Sequence, residues 1–173
     1  SFTLLKNEAN LPLKKNDLKI YIRNCDSSTV VRYGIVVSDL KKADIAILRL
    51  KTPFIPIETD IPFAKGFHHG DLDFKEPEKT EILKLLETVP SIVDIYLDRP
   101  AVIPEISAKA KALLADYGAS DAALLDVIFG KAKPEGKLPF ELPRSMEAVR
   151  NQKEDVPYDS KDPLYKFGFG LRY

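Results

Sequence analysis

The segment Asp44–Leu50, DIAILRL, constrains this chain more than any other. Its nearly continuous apolar run reads as a strand buried on both faces, and such strands occur in parallel sheets covered by helices on each side. The neighbouring sequence supplies the covers. Glu78–Val89 places Ile82, Leu85, Leu86 and Val89 on one helical face. Ile92–Leu97 is the next strand, Ile103–Leu114 contains a second helix, and Leu113–Tyr117 enters a short strand. Earlier, Leu18–Ile22 alternates as a strand does, and Val30–Val37 is β-branched and strand-like. A parallel pairing needs a crossover of about a dozen residues or more, and the link before Val30 is shorter. That strand is therefore expected antiparallel to the first. Ser38–Lys42 suits a short helical turn. The alternation of strands and helices predicts a layered α/β sandwich with an open, mostly parallel sheet and helices on both faces. At 173 residues the chain is read as one domain, residues 1–173.

Gly118–Pro143 joins a helix, a turn and an extended segment. Ser120 is an N-cap candidate, since its hydroxyl can accept from free first-turn amides. Gly130 suits the left-handed position that ends a helix. Pro134-Glu135-Gly136 reads as a turn. Leu138–Pro143 alternates as an extended edge segment would. Arg144–Asp162 is polar and expected to wrap the surface. Tyr165, Phe167, Phe169 and Tyr173 form an aromatic end expected to dock on the body.

Lys and Arg together number 26 and Asp and Glu 26, so no net field points to nucleic acid or an anionic membrane. No apolar run of about eighteen residues exists to span a bilayer. The chain opens at Ser1 without a signal-peptide pattern, which suggests a piece of a longer protein whose compartment is hidden. Cys25 is the single cysteine. It has no intrachain disulfide partner and reads as a buried, inert thiol.

Two glycine-rich motifs fail on inspection. Gly130–Lys137 has five residues between its glycines, and Leu138 follows the lysine, so it is not a P-loop. Gly168-Phe169-Gly170 has no helix after it to hold a dinucleotide. No cofactor is expected. Lys51–Asp73 is a long loop rich in Pro and Gly but carrying Phe54, Phe63 and Phe67. It follows the carboxyl end of the central strand, where open α/β sheets bind ligands. Within it, His68, His69 and Asp71 can hydrogen-bond sugar hydroxyls, and Phe63 or Phe67 can cover an apolar sugar face. The bland reading has Asp71 capping a turn and one imidazole packed on Phe67. Adjacent histidines share neither a helix face nor a strand face, so no metal is expected. Asp98 follows a strand, like the phosphoacceptor of a receiver-like signalling domain. However, Asn24 and Asp26 supply only one of the two acids such a domain needs, and Tyr117-Gly118 stands where its lysine belongs. Asp98-Arg99-Pro100 is more simply a strand-end turn.

Five segments in order carry a resemblance: FTLLKNEANLPL at the start, KADIAILRL, IVDIYLDRPAVIPEI, FGKAKPEGKLPFELPRS, and PLYKFGFGLRY at the end. Together they resemble the second, C-terminal domain of glycoside hydrolase family 3, the β-glucosidase and exoglycosidase family. The resemblance implies a layered α/β sandwich that partners an N-terminal barrel. It implies a carbohydrate substrate and a retaining mechanism whose nucleophilic Asp lies on that barrel. This chain alone would then be inactive. The acid/base would be a Glu in the loop after the strand matching Asp44–Leu50, and Glu58 is the only Glu between that strand and Gly70. The acidic residue followed by Gly-x-Asp-Arg that is usual in the family is not reproduced there. A non-catalytic carbohydrate-binding module and a receiver-like domain remain the alternatives.

Overall fold

The structure, a computed structural model, describes residues 1–15, 17–153 and 155–173. A six-stranded sheet is built from β1 (Phe2–Asn7), β2 (Lys19–Arg23), β3 (Ile35–Val37), β4 (Ile45–Lys51), β7 (Ser91–Tyr96) and β8 (Ala112–Asp116), in the order β1-β8-β7-β4-β2-β3. Five strands are parallel and β1 runs antiparallel to β8. Two short strands, β5 (Ile55–Pro56) and β6 (His68–His69), pair antiparallel in a separate hairpin. The helices are α1 (Ser27–Val30), α2 (Glu78–Thr88), α3 (Pro104–Lys109), α4 (Asp121–Ile128) and α5 (Met146–Arg150).

Strand alternation splits the core into two layers. Ala46, Leu48 and Leu50 of β4, Val93 and Ile95 of β7, and Leu113 and Ala115 of β8 meet Ile82, Leu85 and Leu86 of α2 and Ile106 of α3. Ile45, Ile47, Ile92, Ala112 and Leu114 face the other way, onto Val30 of α1 and Leu124, Leu125, Val127 and Ile128 of α4. Helices therefore cover both faces, as the buried central strand requires. Each buried Val, Leu or Ile among them stabilises the fold by about 1.5–3 kcal/mol relative to leaving it exposed.

Ser120 caps α4 by accepting the amide of Ala123 at 3.3 Å, and Gly130 follows the helix with φ +79°. The aromatic end docks in part. Tyr165 and Phe169 pack on the core, and the Tyr173 hydroxyl donates to the Val127 carbonyl, while Phe167 stays half exposed beside Tyr158.

Two local expectations are corrected. The Val30–Val37 strand starts only at Ile35, and β3 runs parallel to β2. Asp26 causes the delay: its carboxylate accepts the amides of Ser28 and Thr29 and turns Ser27–Val30 into a helix, which makes room for the crossover. Pro134-Glu135-Gly136 is not a tight turn. The Gly136 amide donates to the Phe2 carbonyl at 2.9 Å, and a Cβ on Gly136 would lie 2.5 Å from that oxygen. Glycine is required there by close backbone approach rather than by a positive φ. The polar tail contains a helix, α5, capped by Ser145 through the amide of Ala148 at 3.0 Å.

Candidate functional site

The carboxyl ends of β2, β4, β7 and β8 open into a crevice of about 940 Å³, lined among others by Asn24, Arg49, Thr52, Phe54, Tyr96 and Gly118. This is the edge where open parallel sheets bind ligands. Its floor is a charge network that follows from register. Arg49 lies directly beside Asp94 across β4 and β7, and alternation puts Asp116 of β8 on the same face. The guanidinium reaches Asp94 at 2.8 Å, Asp116 at 3.0 Å, Asp121 at the start of α4 at 2.6 Å, and the Ala119 carbonyl at 2.9 Å. Asp121 also accepts the Asp26 amide at 2.7 Å, and Asn24 donates to the Arg49 carbonyl at 2.9 Å. The Arg49 side chain thus ties three strands and a helix start, and Asp121 and the Arg49 carbonyl add the β2–α1 link.

Asp94 is fully buried, and its Oδ1 has no partner of the opposite hydrogen-bonding type among the described residues. Burial first, then repulsion by Asp116, hold its carboxyl well above the ordinary range against the pull of Arg49. Burial alone would lower Arg49; the hydrogen bond to Asp121 and the attraction of Asp94 outweigh that and hold it charged. Cys25, half buried nearby, has its thiol pushed up to about 12 by burial and by Asp121, consistent with an inert group.

Over the crevice runs the Lys51–Asp73 segment, closed at its base by β5 and β6 and carrying a 3₁₀ turn at Pro62–Gly66. Its root is fixed by Thr52, whose amide and hydroxyl donate to the Tyr96 carbonyl at 3.1 and 3.2 Å. His68 is partly covered. Its Nδ1 contacts a carboxylate oxygen of Asp98, and its ring stacks on Phe54 with centroids 3.7 Å apart. Arg99, next to Asp98, donates to the carbonyls of Pro53, His69 (3.2 Å), Gly70 (3.1 Å) and Asp71 (3.1 Å).

The residues singled out in the sequence therefore separate. His68 joins Asp98 and Phe54. The anticipated packing of a histidine on Phe67 is replaced by this Phe54 stack, while Phe67 meets Phe63 edge-on at 6.0 Å. His69 is exposed on the same short strand, and alternation turns it from His68. Asp71 is held by Lys75 at 2.8 Å and Arg150 at 3.3 Å; the hydrogen bond from Lys75, above all, lowers its carboxyl pKa. Glu58 lies exposed between β5 and the 3₁₀ turn, and its side chain has no hydrogen bond or ion pair among the described residues. Among those residues no group of three or more His, Cys, Asp or Glu is arranged for a metal ion.

Sequence reasoning missed the Arg49 network and the Arg99 contacts. The first had a signal: Arg49 interrupts an otherwise apolar strand and Asp94 another, and a charge in a buried strand needs a partner. Arg99 had none, because its partners are backbone carbonyls.

Comparison with known proteins places the chain. Residues 32–173 match the model of the glycosyl hydrolase family 3 C-terminal domain. A probable beta-glucosidase C from Aspergillus flavus is 48% identical, covering all of this chain and 28% of that protein. A periplasmic beta-glucosidase/beta-xylosidase from Dickeya chrysanthemi is 38% identical, covering 99% of this chain and 26% of its own length. The chain thus spans little more than a quarter of these relatives. Among solved structures, the beta-D-glucoside glucohydrolase of Trichoderma reesei superposes with a TM-score of 0.73 at 20% identity, over 99% of this chain and 35% of that one. The beta-glucosidase of Listeria innocua in complex with isofagomine gives 0.71 at 19% identity, over 100% and 32%. These likenesses carry the same layered α/β sandwich, and they do not favour the receiver-like or carbohydrate-binding-module readings. The chain belongs to the glycosyl hydrolase family 3 C-terminal domain family.

Proposed function

We propose that this domain forms one wall of the sugar cleft in a retaining β-glucosidase-like hydrolase that removes a terminal sugar from a β-linked glycoside. The observation that carries the proposal is the hairpin over the carboxyl-edge crevice. Ile55, Ile61, Phe63 and Phe67 are all more than half exposed along it, Phe63 at 74%. An apolar stretch of this kind, anchored at its root and open at its tip, suits a surface that another part of the protein covers. The partner is a preceding barrel domain, which supplies the nucleophilic Asp.

In this scheme Glu58 is the acid/base. It protonates the departing glycosidic oxygen as the barrel carboxylate attacks the anomeric carbon. It then removes a proton from the water that opens the glycosyl-enzyme. His68, His69 and Asp71 hydrogen-bond sugar hydroxyls. Asp71 already meets two cations, so it would orient a hydroxyl only while keeping those ion pairs.

Two assays test the scheme. The 173-residue chain alone should not hydrolyse nitrophenyl glycosides, because the double displacement needs a second carboxylate. Steady turnover surviving repurification would sink this. In the full-length enzyme Glu58→Gln should lower turnover of poor-leaving-group glycosides by about 10²–10⁴-fold. Dinitrophenyl glycosides, which depart with little protonation, should be cleaved at close to the parent glycosylation rate. A parent rate on the poor leaving group would pass the role to Asp60, Asp71 or a barrel residue.

A further inference from the structure

The hairpin that would carry Glu58 has little structure of its own: two strands of two residues each and one 3₁₀ turn. A β-pair that short is not stable by itself in water. Something outside the hairpin must hold its geometry, and two consecutive residues after β7 do so. The Arg99 guanidinium takes the Pro53 carbonyl from the outgoing stem and the His69, Gly70 and Asp71 carbonyls from the returning stem. Asp98 takes the imidazole of His68 from the same stem. Below these contacts the Thr52 hydroxyl shares its proton between the Tyr96 and Arg99 carbonyls, each at 3.2 Å, and the Val102 amide donates to the Leu72 carbonyl at 3.0 Å. Both ends of the hairpin are therefore fastened to the β7–α3 link.

We propose that Arg99, assisted by Asp98, is a positioning residue of the sugar site: it locks both stems of the 53–71 hairpin in one register and so sets where the acid/base stands. The proposal rests on the reading of Glu58 given above.

Three features favour positioning over a surface ion pair. Among the described residues Arg99 has no carboxylate partner; its two terminal nitrogens meet main-chain oxygens of one segment, and its Nε has no hydrogen-bond partner. Lysine could not replace it, since a compact ammonium cannot serve carbonyls on two stems in a planar fork. Asp98 contributes differently. By accepting from Nδ1 it holds the ring and leaves Nε2 of His68 to meet a sugar hydroxyl. The Phe54 stack holds the ring plane.

The test uses the full-length enzyme with Arg99→Lys, Asp98→Ala, Glu58→Gln and the Arg99→Lys/Glu58→Gln pair. Amide hydrogen exchange is followed across residues 53–71 and, as the internal control, across β4. Arg99→Lys should speed exchange of the hairpin, leave β4 and the melting transition unchanged, and lower kcat/KM for poor-leaving-group glycosides by about 10²-fold, as a misplacement of about 1 Å can. Dinitrophenyl glycosides should lose far less, and the double variant should lose no more than Glu58→Gln alone. Asp98→Ala leaves every Arg99 bond in place and should show a smaller loss, about tenfold. Unchanged hairpin exchange in Arg99→Lys would overturn the proposal, and so would equal losses on good and poor leaving groups, which a merely structural role would give. Parent turnover in Glu58→Gln would instead refute the underlying acid/base reading. The clamp would still be judged by exchange.

Discussion

Arg49, which lines the crevice, and Arg99, at the base of the hairpin, are used in opposite ways. Arg49 is set among three carboxyl groups on rigid strands and a helix start, and its partners are separated by 45, 67 and 72 residues in sequence. Arg99 binds only carbonyls, all from one loop. The first joins parts of the fold that folding must assemble together. The second shapes a segment that the fold can exist without. Loss of Arg49 should therefore appear as stability, and loss of Arg99 as geometry.

The largest expected effect is on the Arg49 side. Arg49→Met strands buried carboxylates and should destabilise the chain by about 3–5 kcal/mol, read as a fall in the urea midpoint at constant slope. Arg99→Lys in the same measurement should cost less than about 1 kcal/mol, since its contacts lie at the partly exposed base of a loop. Equal costs would erase the contrast between the two arginines.

A smaller effect sharpens the nature of the buried network. The Asp94 carboxyl is raised in the folded chain above its ordinary 3.8. Above that value the folded state holds a proton that the unfolded state has released. The contribution of Asp94 is thus full below pH 3.8 and declines as pH climbs through the raised value. Asparagine imitates the protonated form, so Asp94→Asn should change stability by no more than about 1 kcal/mol below pH 3.8 and flatten this decline. A variant as damaging as Arg49→Met would mean that Asp94 is held as a carboxylate.

The smallest effect is expected at the hairpin tip. Glu58→Gln should alter the stability of the chain by less than about 0.5 kcal/mol, the usual range for an exposed side chain without partners. A larger loss would give Glu58 a structural role that its exposure does not support.

What could be read from the sequence divides along similar lines. The central strand, the α2 face, the Ser120 cap and the Gly130 stop were legible because local pattern and final environment agree. The covered parallel sheet then followed from the burial that those segments demand. The parallel β3 was not legible, because a side-chain cap at Asp26 shifted the strand start. Nor was the reason for Gly136, which lies in the approach of Phe2 from the far end of the chain. At the site, Glu58, His68, His69 and Asp71 were chosen from one loop. The structure leaves Glu58 exposed, gives His68 to Asp98 thirty residues on, and gives Asp71 to Lys75 and Arg150. The contacts to Asp98 and Arg150 come from distant segments packing together, which periodicity does not report; only the Lys75 contact is local.

The central claim is that this domain brings the acid/base to a nucleophile it does not itself carry. Azide added to the full-length Glu58→Gln enzyme, turning over a dinitrophenyl glycoside, tests that most directly. With the base gone, the glycosyl-enzyme waits on water. Azide needs no deprotonation, so it should restore turnover and yield the β-glycosyl azide, with retained configuration. No acceleration by azide, together with release of free sugar at the parent rate, would contradict the account.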